Sequence, residues 1–366
     1  MAMKRKKWTM LLGGTGAVLV LGTGAWMRPA QEEPSQAPKI RYVTEEVEAE
    51  RQAVTEGEKA AKTHAKAEQE AGINISQAEG DKLAVIDDGA VPLYAKPQGS
   101  LVRTPTASGT VTYGNSKVGI DASNTSCGYV MVKYMGSVGK IKVQITKGGL
   151  TYTYDLNARN AYEVFPLSEG NGSYSVKVFE NVQGNQYSQA FSQDINVSIA
   201  NPFDPFLYPN QYVNFSAASA AVQKGAEIAA GAGDAIGVVN SIYSYVVGNT
   251  TYDTAKAQTV QSGYLPNVDQ VLASRTGICF DYAALMVSML RSQDIPAKLV
   301  VGYTGSAYHA WVNVYIDGIG WVDNYIYFDG QNWSLMDPTF ASSGGQSEEI
   351  KQYIGNGANY QQKYCY

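Results

Sequence analysis

Cys279, His309 and Asp337 follow one another in the chain in the order that thiol chemistry needs. From Cys279 onward the run CFDYAALMVSMLR predicts a helix, with Phe280, Ala283, Ala284, Val287 and Leu290 marking its faces. Gly277 permits a tight turn into that helix. A helix N-terminus carries about +0.5 charge and unpaired N–H groups. A thiol placed there is drawn toward thiolate, the nucleophilic form. The same N–H groups, starting with that of Cys279, can hold a developing oxyanion. The stretch YHAWVNVYI, 308–316, alternates as a strand, with His309 and Trp311 on one face and Ala310 and Val312 on the other. A thiolate attacks a carbonyl carbon, an imidazole serves as base and then acid, and a carboxylate orients the imidazole. The competing reading of a single cysteine is a small buried hydrophobe, and a single strand histidine is more often structural. The second histidine, His64, lies among charges and is read as exposed and without a catalytic role.

The elements that must position these residues are legible in part. IPAKLVVGYT, 295–304, reads as a buried strand after a proline turn. Residues 217–247 have helical spacing broken by GAGD at 231–234, and Asp234 is a candidate N-cap for a helix over 235–247. From about Leu83 to Asn201, short alternating runs such as GYVMVKYMG, KIKVQITKGG and GSYSVKVFEN are separated by Gly, Asn and Ser. That pattern predicts an Ig-like β-sandwich over 83–200, without the paired cysteines and core Trp of antibody domains. NPFDPFLYPNQYVN, 201–214, reads as an ordered connector, with few contacts expected across 202–209 and a second domain over 205–366. Helices followed by strands in that second domain make the fold class α+β.

The pattern GICFDYAALMVSMLR, IPAKLVVGY, YHAWVNVYIDG and MDPT resembles the core of the transglutaminase-like superfamily, related to papain-type cysteine proteases. The resemblance covers roughly 234–340. It implies Cys279 as nucleophile, His309 as base and Asp337 as the orienting residue, with a Cys-bearing helix packed on an antiparallel sheet. Two features depart from the family pattern: Asn313 stands where many members carry Glu, and 324–332 looks inserted as a hairpin, which makes Asp323 a rival for the third role. Tyr264, Asn267 and Gln270 are candidates for a second oxyanion donor, and the sequence does not choose among them. No acidic cluster resembles the calcium sites of animal transglutaminases. With no C-x-x-C motif, neither a metal nor a cofactor is expected.

Composition bounds the remaining choices. At 45% hydrophobic residues the chain is globular rather than disordered. The net charge of −5, without a basic stripe in the folded part, argues against nucleic acid as partner. Three cysteines are too few for a disulfide scaffold, although Cys127 and Cys365 could pair. KRKK at 4–7 precedes an uncharged run over 8–27, which reads as a signal peptide or signal anchor over 1–28. The remainder is then exported, extracellular or at the cell surface, with a membrane link if the segment stays uncleaved. Residues 29–80 read as a linker and a charged helical stalk, the helix running over 41–71. The expected function is an exported thiol enzyme that cleaves or transfers amide-linked acyl groups of a protein or cell-wall peptide. The alternatives are a non-catalytic cell-surface binding module with the same fold and a structural envelope protein.

Overall fold

The structure, a computed structural model, describes residues 40–42, 101–304, 307–317, 320–322, 327–328, 333–334 and 360–366. The signal or anchor segment, most of the stalk, and both Asp323 and Asp337 lie outside the described residues. Among those residues no helix is long and apolar enough to cross a membrane.

Alternating sequences build two antiparallel sheets in the first half. The strands are β1 (Ile40–Tyr42), β2 (Thr112–Gly114), β3 (Val118–Asp121), β4 (Tyr129–Tyr134), β5 (Ile141–Lys147), β6 (Leu150–Asp155), β7 (Glu163–Pro166), β8 (Gly172–Gln183) and β9 (Gln186–Val197). One sheet has the order β1-β9-β8-β5-β6 and the other β2-β3-β4-β7. Ile141, Val143 and Ile145 of β5 are buried while Lys142 and Gln144 between them are partly exposed, the period of a half-buried strand. Arg41 and Tyr42, expected at the start of a helical stalk, instead lie in β1, paired with Tyr187 and Gln186.

The second half begins with α1 (Ala220–Ala230) and α2 (Ala235–Asn249). The expected cap is present: the Asp234 carboxylate accepts from the Gly237 N–H at 2.7 Å. Then come β10 (Thr251–Tyr252), α3 (Thr254–Thr259), α4 (Val268–Ser274), β11 (Thr276–Gly277) and α5 (Cys279–Arg291). The strands β12 (Ala297–Thr304), β13 (Ala307–Ile316), β14 (Gly320–Val322), β15 (Tyr327–Phe328), β16 (Trp333–Ser334) and β17 (Tyr360–Cys365) follow. One antiparallel sheet has the order β14-β13-β12-β17. Helix α5 packs on β12 and β13 and is flanked by α1, α2 and α4. Every residue from Asp281 to Arg291 is buried, so α5 is the central rod of this half.

The two halves share a core, contrary to the expectation of few contacts across 202–209. Val132, Val143 and Val178 belong to the same buried cluster as Ile242, Met286 and Val312. Tyr152 of β6 lies against Tyr364 and Tyr366, with ring centroids 5.0 and 5.5 Å apart. Arg103 pairs with Asp204 at 2.6 Å and with Asp294 at 2.9 Å, and the Leu101 N–H donates to the Ser292 carbonyl. The reason is physical: the apolar rings of Tyr152 and Tyr154 in β6 and of Tyr212 in the connector complete their cover on Tyr364 and Tyr366 of the second half.

Candidate active site

Cys279 is the first residue of α5, and three contacts fix that helix start. The Asp281 carboxylate accepts from the Ile278 N–H at 2.9 Å, the carboxylate half of a capping box. The N–H groups of Asp281 and Tyr282 both donate to the Ile278 carbonyl. Gly277 is required by close approach: a Cβ there would stand 2.6 Å from Asp281 Cβ. Its carbonyl accepts from the Asp253 N–H, which ties the helix start to the strand-like pair β10–β11. The Cys279 N–H, at the first helical position, has no acceptor within the helix.

Cys279 is partly exposed into a cavity of about 140 Å³. His309 lines the same cavity, as do Tyr212, Tyr264, Phe280, Tyr308 and Tyr366. Among the described lining residues there is no Asp, Glu, Lys or Arg, and six are aromatic or histidine with Gln261 and Ser262 beside them. His309 is 7% exposed and sits on β13 opposite Gly302 of β12. Its ring lies nearly parallel to that of Trp311, 19° apart with centroids at 6.4 Å, as the shared strand face requires. Ala310 and Val312, at the alternate positions, belong to the core around α5, whereas Trp311 packs with Val300, Phe206 and Cys365. Gly302 is needed here too: a Cβ on it would stand 2.0 Å from the Gln361 carbonyl oxygen and 2.9 Å from Trp311 Cη2.

A second group of side chains adjoins the thiol. Asp281, fully buried, accepts from Lys256 Nζ at 2.6 Å and from the Tyr264 hydroxyl at 2.5 Å. Burial, and then the bond to Asp281, push the Tyr264 phenol well above its ordinary range. Of the three oxyanion-donor candidates, Tyr264 lines the cavity but its hydroxyl is engaged with Asp281 and Lys256. Asn267 instead caps α4 by accepting from the Gln270 N–H, and Gln270 is exposed. Asp281 escaped the sequence reading, although an acid at the third position of a helix is a capping signal. Lys256 gave no local signal, because its partner is distant in sequence.

Cys127 and Cys365 are both free. Cys365 is buried with its sulfur 3.8 Å from the Tyr152 hydroxyl, and burial pushes its thiol up to about 11. Among the described residues no group of three or more His, Cys, Asp or Glu could hold a metal ion.

Residues 222–338 match the family model of the Transglutaminase-like superfamily, so the segment that holds Cys279 and His309 is transglutaminase-like. The chain is 33% identical over 104 residues to the uncharacterized protein YebA of Bacillus subtilis, an alignment covering 23% of this chain. It is 29% identical over 97 residues, 25% of this chain, to the protein-glutamine gamma-glutamyltransferase of Pseudomonas aeruginosa. It spans 14% of the length of each of these relatives. Among solved structures, the periplasmic domain of TgpA from Pseudomonas aeruginosa is similar at 17% identity and a TM-score of 0.31, covering 73% of this chain and 89% of that one.

Proposed function

We propose that the chain is an exported thiol enzyme that acts on amide-linked acyl groups of a protein or cell-wall peptide. The observation that carries this reading is that Cys279, at the first turn of α5, and His309, on β13, both line one cavity. In the proposed reaction His309 takes the thiol proton and the Cys279 sulfur attacks the substrate carbonyl carbon. The first-turn N–H groups hold the oxyanion. The C–N bond breaks, the amine leaves with the proton from His309, and an acyl-thioester remains on Cys279. Water then releases an acid, or a second amine releases a new amide, and His309 again carries the proton. Asp337 is assigned the role of orienting the His309 ring. No acidic side chain among the described lining residues stands ready to attract a cationic lysine, which favours water as acceptor. In this reading residues 1–28 direct export, 29–80 form a linker and stalk apart from the strand at 40–42, an Ig-like sandwich over 83–200 is a spacer, and 205–366 hold the chemistry.

The test is intact-mass analysis of the protein mixed with glutamine-containing peptides and cell-wall peptide fragments. An acyl adduct mapped to Cys279, absent from Cys279→Ala and from His309→Ala, is the expected result. No adduct with any peptide, together with iodoacetamide labelling of Cys279 at equal rates in wild type and His309→Ala, would overturn the reading.

A further inference from the structure

The cavity has one wall that belongs to neither the thiol helix nor the histidine strand. It is the stretch Val260–Tyr264 between α3 and α4, all five residues of which line the cavity. Gly263 has a φ of +85°, and a Cβ there would stand 2.8 Å from Asp155 Oδ2, so the turn rests against the end of β6. Lys142 holds Asp155 from the other side at 2.8 Å. On the inner side the wall is tied to the thiol helix through the Asp281 carboxylate, beside an edge-to-face contact of the Tyr264 and Phe280 rings. Asp281 Oδ2 accepts from the Ile278 N–H and from Lys256, and Oδ1 accepts from Tyr264. Capping needs only one of those oxygens. Of the two donors beyond the cap, Tyr264 belongs to the wall and Lys256 to α3, where its carbonyl accepts from the Val260 N–H at the start of the wall; the Lys256 ammonium also stands 4.4 Å from the Tyr264 ring centre. Asp281 is fully buried, so loss of the Tyr264 hydroxyl leaves Oδ1 unpaired, and loss of Lys256 leaves the carboxylate without its compensating charge.

We propose that Lys256 and Tyr264 are positioning residues of the thiol site: through Asp281 they hold the 260–264 wall in register with the first turn of α5, and so set the cavity in which a substrate meets Cys279. The proposal rests on the reading of Cys279 as the nucleophile. It assigns a task to residues that touch neither the thiol nor the reacting carbonyl. The unit has three parts: a helix start that presents the sulfur, a wall that shapes the approach, and one buried carboxylate joining them. A substrate that fills the cavity feels the wall, whereas an electrophile of a few atoms reaches the sulfur without it.

The test compares two alkylating agents on the full chain, with modification of Cys279 followed by peptide mapping. Iodoacetamide reports the thiol alone, and benzyloxycarbonyl-phenylalanyl chloromethyl ketone must enter the cavity. The readout is the ratio of the two rates, in which any change of thiol reactivity cancels. In Lys256→Met and in Tyr264→Phe the ratio is expected to fall at least tenfold, and Lys256→Arg, which keeps a donor to Asp281, restores it to within threefold. Hydrogen exchange gives a second measure, with amides of 260–264 expected to exchange at least tenfold faster in Lys256→Met while those of β12 stay protected. A ratio within twofold of wild type in both variants overturns the proposal, as does a ketone that fails to label wild type. If Lys256→Met does not fold, Tyr264→Phe, which keeps the ring, decides alone. Failure of the proposed function has a different signature: iodoacetamide labelling unmoved by His309→Ala, whatever the ratio does in the wall variants.

Discussion

Arg291→Met is expected to destabilise the protein by about 2–5 kcal/mol while leaving the thiol of the folded molecule unchanged. Arg291 is fully buried and donates through Nε to the Ala297 carbonyl at 2.9 Å, through one terminal nitrogen to Tyr208 at 2.7 Å, and through the other to Tyr366 at 2.6 Å. Three segments, the connector, the start of β12 and the residue after β17, thus converge on one side chain. A charged hydrogen bond contributes about 1.5–3 kcal/mol net, and three give about 5–9 kcal/mol. Against this, methionine fills the aliphatic stem and removes the cost of burying a charge, several kcal/mol. The Tyr366 carbonyl also keeps its second donor, the Leu299 N–H at 3.0 Å. Domains of this kind are stable by about 5–15 kcal/mol, so the loss is a large fraction of the whole. Urea unfolding followed by far-UV circular dichroism should show a lower midpoint at an unchanged slope. Arg291 lies at the opposite end of α5, about 18 Å from Cys279 at 1.5 Å per residue, so iodoacetamide labelling of native protein should change less than twofold. A destabilisation below about 1 kcal/mol would refute the claim that this side chain holds the three segments together.

Alkaline pH should destabilise the fold. Burial holds Cys365 up at about 11 and Tyr152, Tyr154 and Tyr366 above the ordinary tyrosine range, so the unfolded chain releases these protons first. Stability present below about pH 9 is lost as pH rises, by up to about 1.4 kcal/mol per pH unit for each group, and a Tm that stays flat between pH 8 and 11 would contradict this. Gly302→Ala should cost about 1–3 kcal/mol and speed exchange of amides in β17, because the new methyl meets the Gln361 carbonyl and Trp311; unchanged exchange would count against the close approach. A fragment of residues 205–366 should melt without cooperativity, since it bares Tyr364 and Tyr366 where Tyr152 and Tyr154 now cover them. A sharp thermal transition in that fragment would show that the shared core is dispensable.

Local patterns carried much of the architecture. The start of α5 at Cys279 follows from helical spacing after a glycine, and the strand that bears His309 follows from strict alternation. The long pair β8 and β9 follows from β-rich runs around Gly184. The rest was hidden for two reasons. Short helices such as α3 and α4 are held by caps on Asp253 and Asn267 and by tertiary packing rather than by a periodic face. The pairing of Lys256 with Asp281, the burial of Arg291 and the joining of the two halves are contacts between distant residues, and a single sequence has no term for them. Arg291 shows the limit plainly: at a helix C-terminus an arginine reads as solvated, yet here its side chain is fully buried.

The pairing of β17 with β12 sets an order of assembly. Val300 is matched with Cys365, and the whole of β13 and β14 lies between them in sequence, so this edge of the sheet joins segments far apart along the chain. Contacts of that span form slowly, because a long loop must close before they give anything back. Helix α5 and the β12–β13 pair can come together early, from neighbouring stretches. The side of the cavity supplied by Tyr366 arrives only when β17 docks. The chamber around the cysteine is therefore completed by a strand far along the chain, so the enclosure of the sulfur depends on that closing strand as well as on the helix that carries it.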